Sequence, residues 1–164
     1  MKNTSYISIG SNIGNKIKNL SDAIEHLENN EKIIITQMSS VYLTEPKYFT
    51  KQDDFFNMVL SLSTDLEPLD LLCYTQFIES KMGREKSLYK NRPRIIDLDI
   101  LTFNNVEIKH PDLVIPHPFI AERRFILEPF NEISPSFYLP GSKKSINELL
   151  NVLKDSLKVV KLQT

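Results

Sequence analysis

Arg92-Pro93-Arg94-Ile95-Ile96-Asp97-Leu98-Asp99-Ile100-Leu101 is the stretch around which the rest of the chain can be arranged. From Ile95 onward it reads as a strand, because successive side chains of an extended chain point to opposite faces. Ile96, Leu98 and Ile100 then share a buried face, and Asp97 and Asp99 share the other. Two carboxylates two residues apart on a strand lie roughly 6–7 Å apart. At an effective dielectric of about 20 they repel by ~2 kcal/mol, a cost that a positive charge between them offsets. A hard divalent cation suits the place. Mg²⁺ in particular takes one or two protein carboxylates and completes its shell with substrate phosphates. Just upstream, residues 81–94 hold Lys81, Arg84, Lys86, Lys90, Arg92 and Arg94 against the single acid Glu85. Cations gathered beside a carboxylate pair describe a site for a phosphorylated substrate and its metal. An exposed acidic strand face paired with nearby arginines is the plainer reading, and Asp-x-Asp spacing alone does not separate the two.

The whole chain narrows the classes. Its 164 residues suit one domain, taken here as 1–164, with a full hydrophobic core. A net charge of −1 argues against a general nucleic-acid binder, which would carry a basic surplus. The positive charge is local, as a small anionic ligand requires. The single cysteine, Cys73, excludes an internal disulfide framework and fits a reducing compartment. Residues 1–5 do not resemble a signal peptide, and no apolar run approaches the roughly 20 residues needed to span a membrane. A cytoplasmic monomer without nucleic-acid or membrane partners is expected.

The strands and helices follow from local pattern. Tyr6-Ile7-Ser8-Ile9 is a short strand closed by a Gly10-Ser11-Asn12 turn. Ile17, Leu20, Ile24 and Leu27 recur at helical spacing over 16–28. Residues 32–44 read as one strand ended by Glu45-Pro46, and 54–64 as another. The latter places Phe56, Met58, Leu60 and Leu62 on one face and Phe55, Asn57, Val59 and Ser61 on the other. Pro68 opens a helix at its favoured first position that runs to Met82, with Gly83 as its stop. Leu69, Leu72, Cys73, Phe77 and Ile78 are expected to form its buried stripe, with Cys73 a core thiol. Gln76 and Glu79 fall on one face, which spacing alone makes a solvated one. The order strand, helix, strand, strand, helix, strand is the βαββαβ pattern of an α+β, ferredoxin-like antiparallel sheet. Both helices should pack on one face, leaving the other, with Asn57, Asp97 and Asp99, free for a ligand. A C-terminal extension follows: a short strand at 106–108, a helical piece with Arg123 to Phe125 interrupted by Pro129, a helix over 145–153, and an edge strand at Val159-Val160. His26 and His110 read as surface residues.

Five motifs in order resemble the hydroxymethyl-dihydropterin pyrophosphokinases: Ile9-Gly10-Ser11-Asn12, Phe55-Phe56-Asn57, the Gln76-x-x-Glu79 helix ending in Gly83-Arg84, Pro93-Arg94-x-x-Asp97-Leu98-Asp99, and Pro116-His117 followed by Arg123. The likeness covers roughly residues 5–140. It implies transfer of pyrophosphate from ATP to a pterin alcohol in folate biosynthesis. By resemblance Asp97 and Asp99 bind two Mg²⁺ ions and, with Arg84 and Arg94, form the catalytic set. Gln76, Glu79, Lys86, Ile100, His117 and Arg123 join Arg84 and Arg94 in holding ATP. Thr44, Pro46, Phe55, Asn57 and Phe125 line the pterin pocket. Asn91 and Arg92 depart from the aromatic residue and glycine that many relatives carry before Pro-Arg, and Glu45 stands where a second proline is common. A two-metal nucleotidyltransferase and an RNA-binding ferredoxin-like module are the alternatives. The latter would need exposed aromatics on the central strands.

Overall fold

A computed structural model describes residues 1–47, 51–84 and 93–163. Its elements run β1 (Asn3–Ser11), α1 (Lys16–Glu28), β2 (Ile33–Met38), β3 (Tyr42–Thr44), β4 (Phe55–Thr64), α2 (Pro68–Lys81) and β5 (Asp97–Phe103). After these come the hairpin β6 (Ile108–His110) and β7 (Leu113–Ile115), a 3-10 turn at Ile120–Glu122, α3 (Arg124–Ile133), α4 (Ile146–Val152) and β8 (Val159–Lys161). The main sheet has the order β5-β1-β4-β3-β8, with β2 also paired to β4, and each pair is antiparallel.

Period-two alternation sorts the side chains as the sequence suggests. Ile7 and Ile9 of β1, Met58, Leu60 and Leu62 of β4, and Leu98 and Ile100 of β5 point to α1 and α2 and bury against Leu20, Ala23, Leu27, Leu71 and Ile78. The Asn15 side chain caps α1 by accepting from the Lys18 amide at 3.1 Å, and Ile17 is exposed. Gly83, at φ +89°, closes α2 in the left-handed region open to glycine.

Several expectations need correction. The opposite sheet face is not free along its length: Val59 and Leu101 pack there with Ile120, Ile126, Leu127, Phe130 and Ile146, and Tyr6 packs against the same cluster. The C-terminal elements therefore cover one end of the face and leave only the other open. On α2 the buried residues are Leu71, Thr75 and Ile78, while Leu69, Cys73 and Phe77 are exposed. Leu69, Leu71, Leu72, Tyr74, Phe77 and Ile78 surround that helix, so no single apolar stripe in the sequence marks the inward face. The strand expected over 32–44 is two, broken at Ser39-Ser40, where the Ser39 hydroxyl accepts from the Val59 amide at 2.9 Å. Gly10 and Ser11 belong to β1, not to a turn. Asn104, at φ 47°, extends the turn so that the next strand starts at Ile108 instead of Val106. The helix α3 runs through Pro129, whose ring is buried with Ile126, Leu127 and Phe130.

Candidate active site

Antiparallel register lays the site out as a row across three strands. Gly10 of the central strand β1 pairs with Asn57 of β4 on one side and Asp97 of β5 on the other. One step along, Ser8 pairs with Asp99. Neighbouring strands lie about 4.8 Å apart, so Asn57 and Asp97 stand on the order of 10 Å apart across a residue with no side chain. A Cβ placed on Gly10 would collide with the Asn57 carboxamide oxygen. Glycine is required here by close approach. Asn57 is fixed in turn by its Nδ2, which donates to Thr44 Oγ1 at 2.6 Å, and both residues are buried. Above the row lies a cavity of about 470 Å³, walled by Thr44, Phe55, Asn57 and Phe125 at one end. Arg84, Arg94, Asp97, Asp99, His117 and Arg123 line it as well.

The acidic end is electrostatically tense. Arg84 donates to Asp97 Oδ1 at 2.5 Å and also to Glu79. Arg94 donates to Asp97 Oδ2 at 2.7 Å. Glu79 also accepts the Leu98 amide at 2.7 Å, which joins α2 to β5. Burial raises the Glu79 carboxyl above its ordinary value, and the Leu98 amide and Arg84 only partly oppose it. Burial works against the Arg84 charge too, but Asp97 and Glu79 outweigh it and hold the guanidinium more firmly protonated than usual. Asp99 is pushed up from 3.8 to about 7, first by burial and then by the negative charges of Asp97 and Glu79, against the pull of Arg123 and Arg94. Among the described residues no third His, Cys, Asp or Glu completes a metal-holding group with the pair. Two carboxylates on one wall, one of them carrying unrelieved like-charge repulsion, are a donor set that fits Mg²⁺ shared with substrate phosphates.

The remaining cationic wall comes from the chain after β7. The Arg123 guanidinium lies 4.9 Å from the Phe119 ring centre and 5.7 Å from that of Phe125, within cation–π range. Burial, reinforced by Arg123, drives the His117 imidazole down to about 4, so it is neutral near pH 7. His117 Nδ1 accepts from the Phe119 amide at 3.3 Å, which leaves Nε2 to carry the proton as a donor.

Buried Asn12 ties two stretches of the rim together. Its Oδ1 accepts from the Arg94 amide at 2.8 Å, and its own amide donates to the Arg94 carbonyl at 3.2 Å. Its Nδ2 donates to Gln52 Oε1 at 2.9 Å and to the Asp53 carbonyl at 3.2 Å.

Most residues singled out from sequence meet around this cavity, but not all. Gln76 is exposed on α2 and does not line it. Glu79 lies behind Arg84 and Asp97 instead of on the wall. The Ile100 side chain faces the core, and Pro46 is buried behind lining residues Glu45 and Lys47. Lys86, Asn91 and Arg92 lie outside the described residues. Ser8, Lys47 and Gln52 also line the cavity and were not singled out, and Gly10 and Glu45, noted for a turn and for a departure from the family pattern, line it too. Counting by twos along β1 would have found Ser8 and Gly10, since Ile7 and Ile9 take the core face.

An α+β sheet that sets half-buried carboxylates among arginines, beside a cavity end bearing two phenylalanine rings, has the form of a phosphotransfer enzyme. Comparison with known proteins gives the particular class. The family model for 7,8-dihydro-6-hydroxymethylpterin-pyrophosphokinase (HPPK) matches residues 6–135. The 2-amino-4-hydroxy-6-hydroxymethyldihydropteridine pyrophosphokinase of Bacillus subtilis is 41% identical over 133 residues, covering 81% of this chain and 79% of that protein. Its Aquifex aeolicus counterpart is 37% identical over 161 residues, covering 97% and 99%. The folic acid synthesis protein FOL1 of Dictyostelium discoideum is 41% identical over 147 residues, 90% of this chain but 22% of that protein. This chain thus spans only a fraction of some relatives and nearly all of others. A crystal structure of HPPK-DHPS in complex with substrates shares the fold, with a TM-score of 0.74 at 17% identity over 91% of this chain and 43% of that one. The chain belongs to the 7,8-dihydro-6-hydroxymethylpterin-pyrophosphokinase (HPPK) family.

Two outcomes follow from the geometry. Gly10→Ala should displace the Asn57 carboxamide and weaken a ligand held at the Asn57 end of the cavity roughly tenfold, about 1.4 kcal/mol, with a ligand of the arginine end much less affected; calorimetric titration with a pterin and with ATP checks it. Asp99→Asn should stabilise the free protein above pH 7 and give no gain below pH 4. Between an unfolded value of 3.8 and a folded value of about 7, the native carboxyl binds the extra proton. The parent therefore loses stability as pH rises through that window, and the variant does not. Urea unfolding at pH 4 and pH 8 measures the difference.

Proposed function

We propose that this chain transfers pyrophosphate from ATP to the hydroxymethyl group of 6-hydroxymethyl-7,8-dihydropterin, releasing AMP, as a step of folate biosynthesis. The observation that carries the reading is the row Asn57–Gly10–Asp97, which separates an amide-and-aromatic pocket from a carboxylate-and-arginine pocket by an open lane. Phe55 and Phe125 offer rings for a flat heterocycle, and Asn57 with Thr44 offers a fixed hydrogen-bonding edge. Arg84, Arg94, Arg123 and the Nε2–H of His117 bind the phosphate chain; an arginine fork suits phosphate oxygens in particular. Glu79 orients Arg84. The acceptor hydroxyl forms a bond to the β-phosphorus and gives up its proton to solvent, while the bond from that phosphorus to the α–β bridging oxygen breaks and AMP leaves with that oxygen. Such transfer asks the protein mainly for positioning and charge neutralisation.

Asp97 and Asp99 would hold two Mg²⁺ ions, which when bound neutralise charge on the phosphate oxygens. For Asp97 to serve a metal, Arg84 and Arg94 must turn from it to the substrate, so the ion pairs of the free site hold the arginines near their working places. Residues 1–164 act as one pyrophosphokinase domain of ferredoxin-like βαββαβ topology, a cytoplasmic monomer with small-molecule substrates. Among the described residues no helix is long and apolar enough to cross a membrane.

Chromatography of a turnover mixture tests the reaction. AMP and pyrophosphorylated pterin should appear in equal amounts. ADP would mark an ordinary kinase, and free pyrophosphate with a nucleotidylated pterin would mark the nucleotidyltransferase alternative. Arg94→Ala should lower kcat by about 10²–10³-fold, the loss typical of one preorganised donor.

A further inference from the structure

The family model stops at residue 135, yet the chain beyond it braces the cavity. β8 pairs with β3, setting Val159 opposite Thr44, the partner of Asn57. The Glu45 amide donates to the Lys158 carbonyl at 3.2 Å, and the Lys158 amide donates to Glu45 Oε2 at 3.1 Å. The most connected residue of this segment is Asp155, whose side chain is only 6% exposed. Its Oδ2 accepts from Lys47 Nζ at 2.9 Å and from the Arg124 amide at 3.2 Å. Its Oδ1 accepts from the Leu157 amide, and its carbonyl accepts from Arg124 Nε at 2.9 Å.

These partners belong to two stretches of chain, far apart in sequence, that both line the cavity. Lys47 lines the wall that continues from Thr44 and Glu45; Arg124 lies between the lining residues Arg123 and Phe125. The Arg124 amide is also the first of α3, and α3 has no cap from its own preceding side chain. A carboxylate there satisfies an orphan donor and suits the positive end of the helix. We infer that Asp155 is a positioning residue for the acceptor pocket, fixing the separation between the Thr44–Lys47 wall and the Arg123–Phe125 wall.

Burial opposes the Asp155 charge, but Lys47 and the Leu157 and Arg124 amides outweigh it and keep the carboxyl below its ordinary value. Lys47 is equally committed, donating also to the Glu122 carbonyl. Without Asp155 its ammonium would stand without that counterion in a cavity already lined by three arginines and by the carboxylates of Glu45, Asp97 and Asp99. The strut thus keeps the walls in register and keeps a cation in its place beside the pocket.

The inference rests on the assignment of the Asn57–Phe125 pocket to the pterin, so the test separates the two. With a non-hydrolysable ATP analogue and Mg²⁺ present, Asp155→Asn should raise the Kd for 6-hydroxymethyl-7,8-dihydropterin about tenfold, the scale of one lost charge-assisted hydrogen bond, and in turnover with ATP the KM for the pterin should rise alike. The affinity for the analogue and the kcat at saturation should stay within about twofold. Asp155→Glu should recover part of the loss, and adding Lys47→Met to Asp155→Asn should cost little more. Pterin affinity within about twofold of the parent, or an equal loss for the ATP analogue, would overturn the inference. Asn57→Ala is measured alongside. If it weakens pterin binding while Asp155→Asn does not, only the strut is wrong; if it leaves pterin binding unchanged, the pocket assignment falls and the strut with it. Should Asp155→Asn fail to fold, Lys47→Met, which leaves the bonds of Asp155 to Arg124 and Leu157, decides by the same criterion.

Discussion

The backbone pairing of Gly10 with Asn57 on one side and Asp97 on the other is the constraint on which the site depends. Two chemically opposed functions, an amide edge and a carboxylate, are placed by strand register alone. A slip of one residue would send every side chain of a strand to the other face. The slip is costly because Ile7, Ile9, Met58, Leu60, Leu62, Leu98 and Ile100 are all buried against α1 and α2. The apolar core therefore fixes the polar row. Asn57, Asp97 and Asp99 owe their places to the residues between them.

The acidic end holds its charges by mutual compensation. Asp97 is satisfied by two arginines, and Glu79 by Arg84 and a backbone amide, whereas Asp99 carries the residual repulsion. Removing one partner from such a half-buried set leaves another charge short of compensation, which costs more the less water can reach it. This explains why the helix residue Glu79 matters to a strand on the far side of Arg84: it anchors the guanidinium that Asp97 also uses. A substrate rich in negative charge competes for the same arginines.

Much of this was legible in the sequence, for reasons of period. Alternation along β4 and β5 assigned Met58, Leu60, Leu98 and Ile100 to the core and Asn57, Asp97 and Asp99 to the opposite face, where they line the cavity. The limits of α2 followed from Pro68 and Gly83 because a favoured first position and a stop are local chemistry. The inward face of α2 was not legible, since apolar residues on several of its sides leave the choice to tertiary packing. Nor was the cover over half the ligand face: α3 and α4 bury Val59 and Leu101 through contacts that are distant in sequence. Asp155 was illegible for the same reason, as its partner Lys47 lies 108 residues away. Gly10 was read as part of a turn, and only its neighbours on β4 and β5 reveal why a side chain is excluded.

The short strand β8 has a second consequence, for the way the molecule meets its own copies. An unpaired strand edge is a template for adding another chain. Here β3 would otherwise be such an edge, with the polypeptide of the pocket wall as its exposed donor and acceptor row. β8 occupies that row and ends the sheet in three residues, Val159, Val160 and Lys161, preceded by Lys158. The Lys161 ammonium is held by Glu132 at 2.9 Å. A strand this short, flanked by lysines, gives an incoming strand little to extend. β8 therefore stands between the pocket's own wall and any strand that would add to that side of the sheet.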